Sequence, residues 1–206
     1  MIHRHRFEIS TEQMLQDRQL WRPSSRWSMS NLPWEARPFG REHLLPNTGL
    51  PSATPLRFAP DFLVQQRSGS FRDGSPRPPK WSVFLECKAS RHERLAINED
   101  ALRGYEKWQS FTCLPVYILS TTGAPPETRK LEDYRVMPVK QILKGSYKRR
   151  HFSTWDYESN TYDNSVVSDP CVMVPKADFV WTLADLMDQL VAGRKRPTFK
   201  EAVKCS

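Results

Sequence analysis

Phe58-Ala59-Pro60-Asp61-Phe62-Leu63-Val64 and Val83-Phe84-Leu85-Glu86-Cys87-Lys88 are the two stretches on which the fold turns. Both are apolar runs of strand length. One has an aspartate after a proline at its head, the other a glutamate and a lysine two apart at its tail. Side chains alternate between faces in an extended chain, so Glu86 and Lys88 project to one side. Cys87 projects to the other, where Val83 and Leu85 complete a core face. If the two runs are neighbouring strands, Asp61 and Glu86 bring carboxylate oxygens within reach of one divalent cation, with the Lys88 ammonium beside them. A hard cation such as Mg²⁺ takes oxygen ligands and keeps several waters, so two carboxylates and a substrate phosphate suffice. That is the outline of a site that cuts phosphodiesters.

Composition narrows the partner. Lys and Arg total 31 against 23 Asp and Glu, a net charge of +8 over 206 residues. Such a basic excess favours a polyanion, because each neutralised phosphate releases condensed counterions. Hydrophobic residues make up only 38% of the chain, and 17 prolines against 8 glycines imply long, stiff connections. The expectation is one domain with appendages. The four cysteines, Cys87, Cys113, Cys171 and Cys205, form no CxxC or Cys/His pattern and read as reduced thiols of a cytoplasmic protein. No apolar stretch is long enough to span a bilayer, and the N-terminus has no apolar leader. The five histidines show no HxxxH spacing.

Outward from the two runs, Ser10 or Thr11 caps an expected helix over 7–22 with Met14, Leu15 and Leu20 on its apolar side. Residues 23–55 are rich in Pro, Ser, Arg and Trp and carry no clear period; Trp27 and Trp34 argue for an ordered arm. Between the runs, Arg67, Arg72, Arg77 and Lys80 face a single acid, Asp73, in a loop expected beside the metal site and suited to phosphate contact or to a solvated hairpin tip. Asn98 caps a helix with Ala101, Leu102, Tyr105 and Trp108 at helical spacing, and a strand follows at 115–120. Further on, Lys140, Lys144, Lys148, Arg149 and Arg150 lie within eleven residues free of acids, interleaved with or followed by Tyr147, His151, Phe152, Trp155 and Tyr157. Cations that hold a phosphate backbone and rings that stack on bases suit nucleic acid; a solvated charged helix face is the plain alternative. Residues 158–169 read as a loop, Val172–Val174 as a short strand, and Thr182 as the cap of a last helix bearing Leu183, Leu186, Met187 and Leu190.

Pro60-Asp61 … Glu86-Cys87-Lys88 resembles the motif of the PD-(D/E)xK nuclease superfamily, over roughly residues 56 to 120. The resemblance implies an α/β, restriction-endonuclease-like core: a central mixed β-sheet flanked by helices, in the order helix, three strands, helix, strand. It implies residues 1–125 as the nuclease core with an N-terminal helix and arm, and 126–206 as a basic, aromatic C-terminal extension packed on or continuing it. It further implies Mg²⁺ (or Mn²⁺) as cofactor, held by Asp61, Glu86 and the main-chain carbonyl of Cys87, with Lys88 orienting or deprotonating water or stabilising charge. Many members add an acid from the first helix, for which Glu12 is the best match and Glu8 a weaker one. Some place a Gln or Tyr of the following helix near metal or DNA, which Tyr105 and Gln109 match loosely.

The reading that follows is a metal-dependent DNA endonuclease, nicking or cutting both strands, with Arg67, Arg72, Arg77, Lys80, Lys144, Lys148, Arg149 and Arg150 on DNA. The family also makes a homodimer one expected arrangement. Two other readings stay open at this point. One is a non-catalytic nucleic-acid-binding protein that keeps the nuclease fold. The other is an assembly protein of a phage or mobile element whose tryptophans form a partner surface.

Overall fold

Strand alternation sets the central sheet. In the computed structural model of the chain, residues 11, 13–16, 34–39, 58–67, 69–88, 90, 92–121, 130–156, 161–167 and 170–192 are described. The second apolar run forms strand β3 (Ser82–Cys87), and the first forms β2 (Phe62–Gln66), paired antiparallel with Phe62 opposite Leu85 and Val64 opposite Val83. On the far side of β2 lies β1 (Trp34–Pro38), also antiparallel, with Trp34 opposite Gln66. This strand lies inside the Pro- and Arg-rich segment that showed no period. Within it Trp34 and Ala36 are buried and Arg37 is exposed.

On the other side of β3 comes β5 (Val116–Thr121), parallel to it, with Glu86 opposite Ile118 and Cys87 opposite Leu119. The crossover between these two parallel strands contains β4 (Arg94–Asn98) and helix α1 (Glu99–Thr112). The Asn98 side chain accepts from the Ala101 N–H at 3.1 Å and so caps the helix as expected. Antiparallel β6 (Tyr134–Pro138) and the two-residue β11 (Trp181–Thr182) complete the order β1-β2-β3-β5-β6-β11. Two further short sheets lie outside it. The strands β4, β10 (Cys171–Pro175) and β7 (Lys148–Arg150) form one, with β10 in the middle, and β8 (Ser153–Asp156) with β9 (Thr161–Val167) the other. Most of the stretch expected as a loop at 158–169 is therefore strand; its cross-strand partners, not its polar composition, decide its conformation.

Two apolar layers sandwich the central sheet. On one face Val83, Leu85 and Cys87 meet Phe62, Val64, Trp34 and Leu119, covered by Met14 and Leu15 of the N-terminal helical residues and by helix α3 (Leu183–Val191) through Leu186 and Met187. Thr182 caps α3 reciprocally with Asp185. On the other face Phe84, Val116 and Ile118 meet Leu102, Tyr105 and Trp108 of α1, Ile142 of helix α2 (Val139–Lys144), and Leu95, Ile97, Val172 and Val174 of the β4–β10 pair. The fold class is α/β, a central mixed sheet flanked by helices.

Candidate active site

The β2–β3 register, continued by one residue, sets Asp61 opposite Glu86. Directly opposed residues of an antiparallel pair project to the same face, with Cβ atoms about 4.5–5.5 Å apart. Asp61, Glu86 and Lys88 therefore share the face that carries Leu63 and Phe84, while Cys87 turns into the opposite core and is 8% exposed.

Each side chain is held. Asp61 Oδ2 accepts from the Cys87 backbone N–H at 2.7 Å. Lys88 Nζ donates to Glu86 Oε1, and the Lys88 backbone N–H donates to the Leu119 carbonyl at 2.9 Å, which extends the β3–β5 ladder to Lys88. Glu86 is 4% exposed, and the Lys88 side chain 21%. A buried carboxylate without a cation is costly, so the Glu86–Lys88 pair is a condition for folding as well as a chemical feature. The backbone leading into Asp61 is fixed from two sides. The Phe39 N–H donates to the Asp61 carbonyl at 2.7 Å, and Phe58 packs on Gly104 of α1 so closely that a Cβ there would lie 2.5 Å from Phe58 Cβ. Phe39, Phe84 and Trp108 form a ring cluster with centroids 4.9 to 5.9 Å apart. It makes an apolar wall beside the carboxylates and lowers the local dielectric.

The site lies at the carboxyl ends of the parallel strands β3 and β5. There the chain leaves β3 for the crossover, and α1 runs back to the start of β5. Gln109 marks that return: its Oε1 accepts from the Val116 N–H at 3.2 Å, at the amino end of β5. Gln109 is thus away from the carboxylates, and Tyr105 is 3% exposed within the core. Gln109 therefore does not reach the site, while Tyr105 packs among the core residues on the Glu86 face of the sheet.

The basic loop is also elsewhere. It joins the end of β2 to the start of β3, so it projects from the opposite end of the strand pair, about 17 Å along β2 from Asp61. Arg67, Arg72, Arg77 and Lys80 are all exposed. Its tip is built by Asp73, whose Oδ1 accepts from the Ser75 N–H at 2.9 Å and hydroxyl at 2.6 Å, and by Gly74 at φ 84°. Arg77 lies over the Phe71 ring at 5.3 Å.

The second basic segment divides between two elements. Lys144 ends α2, and Lys148, Arg149 and Arg150 form β7, all exposed. Arg149 Nε donates to Glu99 Oε2 at 2.9 Å at the N-terminus of α1, which the crossover brings toward the Glu86 end of the sheet. Tyr147 is not a free stacking ring. It packs on Gly145, and burial together with its hydrogen bond to Asp178 raises the pKa of its hydroxyl. Glu12 and Glu8 lie outside the described residues.

No protein-family model matches the chain, and no curated protein matches it. Among solved structures the chain is similar to Hjc, a Holliday junction resolvase of the archaeal hyperthermophile Archaeoglobus fulgidus. The two share 13% identity at a TM-score of 0.44, over 89% of this chain and 98% of that one.

The donor set fits a hard divalent cation. Two carboxylates share one face of adjoining strands, and the first of them is bonded to the N–H of the residue whose carbonyl the motif assigns to the metal. No group of three or more His, Cys, Asp or Glu suited to a metal occurs among the described residues. No described helix is long and apolar enough to cross a membrane.

Two polar neighbours escaped the sequence reading. Ser120 continues the face of Ile118 on β5, and Arg135 lies directly opposite it on β6. An alternation count along β5 and β6 puts both on the Glu86 face, but a serine and an arginine in short strands give no signal without knowledge of which strands pair.

Proposed function

We propose that the protein is a PD-(D/E)xK-type, divalent-metal-dependent deoxyribonuclease that hydrolyses a phosphodiester bond at the carboxyl ends of β3 and β5. The observation that supports this most is the convergence of Asp61 and Glu86 from adjoining strands on one face, with Lys88 bonded to Glu86. A buried acid flanked by an ammonium, on rigid strands and against an aromatic wall, is the preorganised arrangement that stabilises developing charge well. Mg²⁺ or Mn²⁺, held by Asp61, Glu86 and the Cys87 carbonyl, supplies Lewis acidity toward the phosphate and acidifies water.

The chain's own groups do the rest. Glu86 and Asp61 fix the geometry of the pocket, and the Asp61 carboxylate is itself oriented by the Cys87 N–H. The Lys88 ammonium orients the attacking water and offsets negative charge on the non-bridging oxygens as the new P–O bond forms and the old one breaks. The attacking water gives up its proton to solvent, and the leaving oxygen takes one up from solvent. Exposed cations on β7, at the same end of the sheet, and on the 67–80 loop, at the other, hold the flanking backbone.

The test is cleavage of plasmid, branched and single-stranded DNA with and without Mg²⁺ or Mn²⁺. Strand scission is expected only with metal and is lost in Glu86→Gln. A folded wild-type protein that binds these substrates in a salt-dependent way and cuts none of them overturns the hydrolytic reading in favour of a binding protein with a nuclease-like fold.

A further inference from the structure

Beside the carboxylates runs a second polar row. Extending the β3–β5 ladder by one residue, as the Lys88 N–H to Leu119 bond does, sets Lys88 next to Ser120, and Ser120 is paired with Arg135 across β5–β6. With strands about 4.8 Å apart, Ser120 lies about 5 Å and Arg135 about 10 Å from Lys88 across the sheet. Both neighbours are under-satisfied. Ser120 is 1% exposed and its hydroxyl has no hydrogen-bond partner; the buried Arg135 Nε–H has none either. This guanidinium does donate from Nη1 to the Val180 carbonyl at 3.3 Å. Among the described residues no carboxylate pairs with Arg135.

Buried donors without acceptors are rare, and an unpaired, partly desolvated guanidinium is costly. A guanidinium edge that includes Nε–H, left unengaged, is the fork that grips phosphate oxygens in a bidentate way, and a hydroxyl alongside it donates to the same anion. We propose that Ser120 and Arg135 form a phosphate subsite that takes a backbone phosphate of the nucleic acid adjoining the scissile one. The subsite rests on the reading of Asp61, Glu86 and Lys88 as the reacting centre for its role in positioning, and on its own unpaired donors for its ability to bind. Arg135 and Ser120 are positioning residues: they fix where the strand lies over the carboxylates.

The test is equilibrium binding of a short DNA duplex without divalent metal, so that no turnover occurs, as a function of salt. It compares wild type with Arg135→Gln, Arg135→Lys and Ser120→Ala, each checked by circular dichroism and thermal melting. In Arg135→Gln, the slope of log K against log salt is expected to fall by about 0.9 and affinity to drop about tenfold. Arg135→Lys restores the slope but only part of the affinity, since an ammonium is not bidentate. Ser120→Ala weakens binding a few-fold at unchanged slope. With metal, Arg135→Gln is expected to raise KM more than it lowers kcat.

A folded Arg135→Gln with wild-type slope and KM overturns the subsite, whether or not the protein cuts DNA; the buried donors then hold water alone. A wild type that binds but never cuts, with the slope still lowered in Arg135→Gln, sinks the hydrolytic reading and keeps the subsite. A wild type that does not bind DNA overturns both.

Discussion

The two ends of the β2–β3 pair carry charge in opposite ways. At one end Asp61, Glu86 and Lys88 are drawn into the sheet: a nearly buried carboxylate is tied to its cation, and the aspartate to a backbone N–H. At the other, Arg67, Arg72, Arg77 and Lys80 stand out from the sheet on a loop ordered by the Asp73 turn, the Ser70–Pro76 bridge and the Arg77–Phe71 contact. Charge that is paired and sheltered stores electrostatic energy in a fixed geometry. Exposed charge on a loop costs little, screens with salt and adapts to a partner. The first kind suits chemistry and the second suits grip.

The largest effect expected from this contrast falls on activity. Glu86→Gln, Asp61→Asn and Lys88→Met are each expected to lower metal-dependent cleavage by about 10²–10⁴-fold or more, while loop variants leave kcat unchanged. Isosteric variants are the informative ones. Removing one member of the buried Glu86–Lys88 pair outright costs up to about 3–5 kcal/mol and confuses lost chemistry with lost fold. A folded Glu86→Gln that cuts at the wild-type rate reduces the trio to an ion pair.

Next in size is a packing variant that couples fold to site. A methyl group at Gly104 has no room, because the nearest atom of Phe58 is its Cβ and cannot swing away as a ring edge would. Gly104→Ala is expected to cost about 1–3 kcal/mol and to lower the melting temperature by a few degrees per kcal/mol. It should also lower cleavage more than an equally destabilising change on the opposite core face, such as Leu186→Ala, because Phe58 leads straight into Pro60 and Asp61. Equal losses in the two variants would show that Asp61 is placed by β2 alone.

Much of this geometry was legible in the sequence. The alternation Val83, Leu85, Cys87 against Glu86, Lys88 assigned the faces of β3 correctly, and the caps at Asn98 and Thr182 located two helices. What escaped was long-range. Trp34-Glu35-Ala36-Arg37-Pro38 alternates, but in five residues among prolines the pattern has no weight until β2 supplies a partner. Leu95 and Ile97 make β4, hidden because a two-point alternation ahead of a strong helix reads as its lead-in. The basic loop was expected beside the metal site because it is near it in the chain. An antiparallel hairpin places its loop at the far end from a site formed by its open ends. Ser120 and Arg135 carried no signal at all, since their importance arises from being paired across β5–β6.

The two basic regions offer a sharper, smaller test. Replacing Arg72 and Arg77 with alanine is expected to lower the slope of log K against log salt by at most about 0.9 for each phosphate that is no longer neutralised, with kcat unchanged. Replacing Lys148 and Arg150 removes cations at the Glu86 end and is expected to shift the slope similarly while raising KM further. Arg149 is left out of that pair because Glu99 already occupies it.

That pairing gives the smallest expected effect, and one whose sign is fixed. The Glu99 carboxyl lies below its ordinary range, held there by the hydrogen bond from Arg103 and then, against the opposing influence of burial, by Arg149. A carboxylate with a folded-state pKa below its unfolded value adds stability that is present above the unfolded pKa and lost as pH falls toward the folded one. Both guanidinium groups are about two-thirds exposed, at 64% and 66%, so solvent and salt screen the interaction. The gap in melting temperature between wild type and Glu99→Gln should therefore be small at pH 7, narrow as pH drops below the ordinary glutamate range, and shrink with added salt. The same variant frees Arg149. At pH 7 and low salt it should bind DNA slightly more tightly than wild type while melting slightly earlier. A variant that lost both stability and affinity would mean that Glu99 orders β7 for binding rather than competing with the phosphate for its arginine.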